Sequence, residues 1–505
     1  MIIKSQKLRN QKAIKFKNIT FQAVDWASSD VFVDREDDDD SDADSDNGYK
    51  KYKKRDKLLQ IRVYGLTKSG VSVCCLIEGF KPFFYIKLPN TWTTSYLKAF
   101  SKKLRKKLGK KADGLVSIQK IKRKEYYGFT NDVYQPFVEI IFNNMAAYYE
   151  AKRIIHGKND FDEDEEDKPM FISIGGKKIN ISDEVVMYET NISPLLRFFH
   201  DKDIKPAGWL KVTAKSYKEV KYHTTCQINI KCNWTDIIPV DKNDIAPMMI
   251  ASFDIECTSD DGSFPNPFKD TDEIIQIGTT IHKYGSKECC YKRIDTLKFC
   301  NDIDETDVVC YRRERDMVLG WAKFIKEIGP EIITGYNIWG FDMKYIYDRA
   351  NKYGYYKDLK LMLSKINDQP TWDTDFVKGA KWKEKKLASS ALGDNFLKYF
   401  EIEGMVGIDL FKLVQKDHNL DSYKLDNVSK VFIRGNITNY ESCENGMKLY
   451  TNNIDALTVE QWISIEFKTK RKNLKGDHRK KYKVIELNVK EKWFIIKDFK
   501  FDGLF

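Results

Sequence analysis

The chain has 505 residues, 42% of them hydrophobic and 13% aromatic, and Lys and Arg exceed Asp and Glu by 11. That length predicts roughly three domains at ~100 to 200 residues each, with apolar content sufficient for packed cores. No stretch reaches the ~20 apolar residues of a membrane span, the basic start MIIKSQKLRNQKAIKFKNIT lacks the apolar run of a secretory signal, and the ten cysteines include adjacent pairs but no C-x-x-C, which argues for reduced thiols inside a cell and against zinc or a disulfide framework.

Residues 1–57 read as a mobile arm, basic and then acidic. The run from Asp34 to Asp46 cannot bury apolar area, and it does not place Gly and Glu where an EF-hand loop needs them. FKNITFQAVDW is predicted to return from this arm as an edge strand. Residues 58–245 form the next predicted domain. Its first part, LLQIRVYGLTKSGVSVCCLIEGFKPFFYIKLP (58–89), alternates apolar and polar residues around a turn at Thr67 to Gly70, as strand hairpins do. Basic residues then cluster at Lys102, Lys103, Arg105, Lys106, Lys107, Lys110 and Lys111, and again at Lys120, Lys122, Arg123 and Lys124. Such clusters are either solvated faces or contacts for a polyanion such as DNA. A second acidic run, Asp160 to Asp167, reads as a surface insertion, and Pro206-Ala207-Gly208-Trp209 as a turn before a strand.

The chemistry concentrates further on. APMMIASFDIE (246–256) reads as an apolar strand that turns acidic at its end, with Asp254 and Glu256 two apart and therefore on one face. Taken alone, such a triplet usually just leaves a strand into solvent. Then Glu331-Ile332-Ile333 leads through Gly335 and Asn337 into FDMKYIYDRANKYG, a helix-period stretch with Asp342 in its first turn, at what reads as an exposed strand-to-helix corner. Carboxylates at apolar strand ends are costly unless compensated. Hard divalent ions such as Mg²⁺ take oxygen ligands, and two ions ~3.5 to 4 Å apart stabilise both the attacking and the leaving oxygens at phosphorus. Metal-assisted phosphodiester chemistry is the reading that this spacing supports.

FDIECTSDDGSFPNP with DEIIQIG, GYNIWGFD, KWKEKKLASSALGDN (381–395) and GIDLFKLVQKDHNLDSYKLDNVSKVFI (407–433) follow one another in an order that resembles the B-family DNA polymerases, in their amino-terminal and 3′ to 5′ exonuclease domains. The nearest likeness is to delta-like enzymes of eukaryotes and large DNA viruses. It extends upstream through residues 58–89, YYGFTNDVYQPF (126–137) and YETNISPLLRFFHDKDIKPAGWLKV (188–212). The resemblance implies a mixed α/β and α+β chain. A β-rich amino-terminal domain precedes a ribonuclease H-like exonuclease domain at 246–435, a mixed sheet flanked by helices. It makes Asp254, Glu256 and Asp342 the catalytic and metal-binding carboxylates for two Mg²⁺ or Mn²⁺ ions. Asn337 and Phe341, from the motif N-x-x-x-F-D, would contact DNA. Lys381, Lys383, Lys385 and Lys386 would join them on a single-stranded 3′ end, or on a primer-template, at an intracellular site of DNA replication.

Two parts of that family's pattern are missing. Neither palm motif, D-x-x-S-L-Y-P-S or Y-G-D-T-D-S, occurs, so no polymerase activity is expected of this chain alone; Asp373-Thr374-Asp375 reads as coincidence. The third exonuclease motif, Y-x-x-x-D, is approached by Tyr450 and Asp455, one residue too far apart; on a helix that offset turns the side chains ~140° away from each other. LTVEQWISIEF (457–467) and KKYKVIELNVKEKWFIIKDF (480–499) read as strands of a small β insertion, the last predicted domain, 436–505. The expectation is therefore a split or truncated proofreading portion of a polymerase, completed by a companion chain with the third motif and the palm. A stand-alone nuclease, or a DNA-binding or assembly module with dead chemistry, are the alternatives. Six dispersed histidines, and Ser389 and Ser390 without a His partner, argue against imidazole or nucleophilic-serine chemistry.

Overall fold

A computed structural model describes residues 18–34, 55–89, 92–125, 131–157, 169–221, 223–286, 288–367, 380–389, 393–454, 457–465 and 480–497. Within them the chain divides into two compact units, Met1–Asp409 and Leu410–Phe505. Residues 35–46 and 160–167 of the acidic runs, Asp373 to Asp375 and Asp455 lie outside the described residues.

The first unit opens with β1 (Asn18–Asp34), β2 (Arg55–Thr67) and β3 (Ser72–Glu78), an antiparallel meander. Ile19, Phe21 and Ala23 alternate inward on β1 and meet Ile61, Val63, Val73, Cys75 and Ile77 in one core. The strand expected at an edge is thus interior: its polar groups pair with β2 on one side and, on the other, with β10 (Trp209–Thr213). Between these strands the chain builds a four-stranded sheet. Its elements are β4 (Phe83–Lys87), α1 (Thr94–Leu108), β5 (Leu115–Lys124), β6 (Tyr134–Phe142), α2 (Met145–His156), the hairpin β7 (Phe171–Ile174) and β8 (Lys177–Asn180), α3 (Ile181–Glu184) and β9 (Val186–Tyr188). The strand order β5-β6-β4-β9 leaves β5 at an edge. Helix α4 (Pro194–Asp201) leads to the Pro206 to Trp209 corner, where the Gly208 N–H donates to the Lys205 carbonyl at 2.8 Å before β10 begins, as predicted. β11 (Tyr217–Glu219), β12 (Ile228–Asn233) and β13 (Ile238–Val240) complete a seven-stranded sheet, β11-β12-β3-β2-β1-β10-β13.

The second half of this unit is a mixed six-stranded sheet in the order β17-β16-β15-β14-β18-β21. β14 (Met249–Cys257), β15 (Ile274–Lys283) and β16 (Cys289–Leu297) are antiparallel neighbours. β17 (Asp307–Tyr311) runs parallel to β16, and β18 (Ile332–Gly335) and β21 (Val406–Asp409) extend the other side in parallel. Helices α5 (Glu314–Ile328), α6 (Asp342–Lys352) and α7 (Tyr356–Met362) supply the connections. Met249, Ala251, Phe253 and Ile255 face the core, where Phe253 meets Trp321 of α5 with ring centroids 5.0 Å apart. Asp254 and Glu256 are therefore on the opposite face, as the period of two requires. The expected order, a β-rich region followed by a ribonuclease H-like mixed sheet with helices, is what the chain forms. A hairpin, β19 (Lys381–Ser389) with β20 (Gly393–Glu401), precedes β21.

The second unit holds α8 (Leu410–Asp417), α9 (Leu425–Phe432) and a five-stranded sheet. Its strands are β22 (Ile437–Cys443), β23 (Gly446–Thr451), β24 (Trp462–Ile463), β25 (Tyr482–Asn488) and β26 (Trp493–Ile496) around Met447, Leu449, Val484, Phe494 and Ile496. Tyr450 lies on strand β23, so the helical setting of a third exonuclease motif is absent around it. No helix among the described residues is long and apolar enough to cross a membrane.

Candidate active site

The end of β14 and the start of α6 meet at two carboxylates. The Ile255 backbone N–H donates to Asp342 Oδ1 at 3.0 Å, which ties the first residue of α6 to the strand that carries Asp254. Asp342 is only 2% exposed, so the corner read from the sequence as exposed is closed over; the helix packs its first turn onto the sheet through Met343, Tyr345 and Ile346. Burial pushes the Asp342 carboxyl up to about 7, the Ile255 N–H opposes that rise, and the Asp254 carboxylate against it pushes the same way as burial, by charge and as a hydrogen-bond partner.

Glu256 stands two residues along the same face and is exposed. The three carboxylates do not form one group: among the described residues no three side chains of His, Cys, Asp or Glu are gathered closely enough to hold a metal ion. Two converge, Asp254 and Asp342. Two oxygen-donor carboxyls pressed together, one of them buried, suit a hard divalent cation, because only a cation or a proton relieves their repulsion. Nearby Cys257 is no nucleophile, since burial first, then Glu314 and Asp342, push its thiol up to about 12.

The loop between β18 and α6 is shaped by close approaches. A Cβ on Gly335 would lie 2.4 Å from Ile338 Cγ2 and 2.6 Å from the Phe253 carbonyl, and one on Gly340 would lie 2.3 Å from Asn337 Oδ1. Asn337 itself has φ 61°, a left-handed conformation that Asn tolerates better than most residues. Asp409, 5% exposed at the end of β21, braces this turn: Oδ1 accepts the Asn337 N–H at 2.8 Å and Oδ2 the Trp339 N–H at 3.1 Å.

Phe341 is half-buried beside Asp342, edge-on to Phe264 at 5.1 Å and tilted to Tyr345 at 5.4 Å. Phe264 is 77% exposed, on the loop after β14. Helix α6 holds that loop: Arg349 pairs with buried Glu314 through Nε at 2.8 Å and donates through Nη1 to the Lys269 carbonyl at 2.6 Å, while Tyr345 donates to the Asp272 carbonyl at 2.7 Å. On the hairpin, Lys381, Lys383 and Lys385 are exposed and Lys383 lies 3.1 Å from Glu401; the side chain of Lys386 is outside what is described. Sequence reasoning missed Asp409 and Phe264. Asp409 had a readable signal, since VGID repeats the pattern of an apolar strand turning acidic, whereas an exposed Phe in a polar loop has none.

Residues 185–428 match the DNA polymerase family B exonuclease domain. Over 89% of its length the chain is 28% identical to a DNA polymerase of Pyramimonas orientalis virus, covering 44% of that protein. Over 74% it is 31% identical to the DNA polymerase delta catalytic subunit of Dictyostelium discoideum, covering 32%, and 30% identical to a DNA polymerase of Acanthamoeba polyphaga mimivirus, covering 25%. It thus spans less than half the length of each of these relatives. A family B DNA polymerase structure from Pyrobaculum calidifontis overlays 82% of the chain at 16% identity with a TM-score of 0.47. Residues 185–428 are thus a family B DNA polymerase exonuclease domain, and the chain, with the β-rich region that precedes it, is similar to viral DNA polymerases and delta catalytic subunits.

Proposed function

We propose that this chain is the amino-terminal and proofreading portion of a family B polymerase, hydrolysing the terminal phosphodiester at a DNA 3′ end. The observation that carries this reading is the Asp254 and Asp342 pair, two carboxylates held against each other where an apolar strand ends and a helix begins. Divalent cations, Mg²⁺ or Mn²⁺ and two in number, would bring to this pair the charge that neutralises the phosphate and lowers the pKa of water. Asp254 and Asp342 are the residues that would hold them, with Glu256, two residues along the same face, as the further ligand that the resemblance implies. The Ile255 N–H holds Asp342 at the strand that carries Asp254, and the Asp254 carboxyl acts on it by charge and as a hydrogen-bond partner. Phe341 and Phe264 offer an aromatic edge and face beside the carboxylates, suited to a terminal base, and Asn337 steadies the strand from the braced turn. Lys381, Lys383 and Lys385 draw the phosphate backbone toward the site, with no sequence preference.

A further acidic residue, outside those described or on a companion polypeptide that also carries the palm, completes the site in this reading; that no third acid gathers with the pair among the described residues is what favours it. An intracellular place of action goes with it. The test is degradation of 5′-labelled single-stranded DNA by the purified chain with Mg²⁺ or Mn²⁺, beside Asp254→Ala. A ladder lost in the variant supports the reading. DNA binding without a ladder, unchanged on adding a palm-bearing polymerase chain, favours a binding module instead.

A further inference from the structure

Residues 101–124 hold eleven Lys and Arg and one acid, Asp113, a net +10 in a chain whose whole excess is +11. The fold lays them out as one ridge. Helix α1 buries Phe100, Leu104 and Leu108 and exposes Lys102, Arg105, Lys106 and Lys107; the 3₁₀ turn Gly109–Gly114 exposes Lys110 and Lys111; edge strand β5 exposes Lys120, Lys122, Arg123 and Lys124. Arg105 Nη1 donates to the Leu115 carbonyl at 3.1 Å, joining the last turn of the helix to the start of the strand. Among the described residues the acids within ion-pair distance of the ridge are Glu150, 2.8 Å from Lys111, and Asp132, 3.3 Å from Lys124. A face that merely keeps a protein soluble mixes its signs. Here one sign is concentrated, and the remainder of the chain is close to neutral.

Spacing narrows the partner. Lys120, Lys122 and Lys124 oppose Val138, Pro136 and Tyr134 in register, at alternate positions and so on one face, about 6.8 Å apart along the strand. Lys102 and Lys106 are about 6 Å apart along the helix. Both intervals are near that of successive phosphates on an extended nucleic-acid strand. Nine of the eleven cations are Lys, which meet phosphate as point charges without the fork that reads bases. At the end of the ridge Tyr134 is 61% exposed, with Lys124 Nζ 5.6 Å from its ring centroid. An exposed ring among backbone-binding cations suits an unpaired base, since in a duplex the bases are already stacked.

We propose that the α1–β5 ridge is a track for the backbone of single-stranded DNA, on a different sheet from the carboxylate pair. The test is binding of labelled oligodeoxythymidylate to the whole chain in a chelator, across a salt series, so that it reads binding alone and stands whether or not the chain is a nuclease. In the variant carrying Lys102→Gln, Lys106→Gln, Lys120→Gln and Lys122→Gln, the slope of log affinity against log salt falls by up to about 3, at roughly 0.7 per lost contact. Affinity at moderate salt falls at least tenfold. Lys→Arg at the same four positions keeps the slope, and Tyr134→Ser lowers affinity while leaving the slope in place. An unchanged slope in the Gln variant, with the fold confirmed by circular dichroism, overturns the proposal. So does a loss for duplex DNA as large as for the single strand.

Discussion

Asp409 Oδ1 accepts the Asn337 N–H at 2.8 Å, joining the end of β21 to a turn 72 residues earlier in the chain. The same carboxylate takes the Trp339 N–H, so one buried side chain holds the backbone on both sides of Ile338, just ahead of Phe341 and Asp342. Removing it leaves two donors without their acceptor, which costs about 1 to 3 kcal/mol each when buried. Asp409→Ala is expected to lower the urea midpoint and to reduce nuclease activity at least tenfold, with Asp409→Asn intermediate in both. Full activity in the Ala variant removes Asp409 from the positioning of the site.

Asp342→Asn keeps an acceptor for the Ile255 N–H and removes the repulsion from Asp254. Stability at neutral pH should therefore be equal to wild type or higher, while nuclease activity drops by two orders of magnitude or more. Parallel urea denaturation and single-strand degradation separate the two. A variant that is both less stable and fully active contradicts the assignment.

The loop glycines give a steric prediction. Gly335→Ala places a Cβ 2.6 Å from the fixed Phe253 carbonyl, and such overpacking costs about 1 to 3 kcal/mol, whereas the atoms that a Cβ on Gly340 would meet belong to the end of the Asn337 side chain, which can turn aside. Gly278, paired with Asp254 across the sheet, has nothing within 4 Å of its Cβ position. Thermal unfolding should show a clear loss for Gly335→Ala, a smaller one for Gly340→Ala and little change for Gly278→Ala.

A pH effect is expected away from the carboxylate pair. Asp25 accepts the Gly404 N–H at 2.8 Å, and burial, the main cause, with Glu403 and Glu401 nearby, pushes its carboxyl up to about 6. In the unfolded chain it ionises near the ordinary aspartate value of 3.8. The folded state thus binds the extra proton between these values, so this group adds stability below about pH 4 that is lost as pH rises through 6. The full effect is on the order of 3 kcal/mol. Asp25→Asn should abolish it: denaturant midpoints of wild type and variant, compared at pH 5 and pH 7.5, should differ more at the higher pH.

Much of this site is legible in the amino-acid sequence. Alternation places Asp254 and Glu256 on one face because strand geometry has a period of two, whatever the strand packs against, and GYNIWGFD marks the turn and helix start because Gly, Asn and the 3.6-residue period are local signals. What local pattern could not reach depended on contacts between distant residues. Asp342 is buried because α6 folds back onto β14. β1 is interior because β10, nearly two hundred residues later, pairs with its free side. Asp409 reaches Asn337 only because β21 lies parallel to β18, and Phe264 meets Phe341 because Arg349 and Tyr345 hold a polar loop against the helix. The sequence by itself determined the strands, the turn and the family of the chain; tertiary structure alone decided which carboxylates meet, because burial and charge repulsion arise only between surfaces that folding brings together.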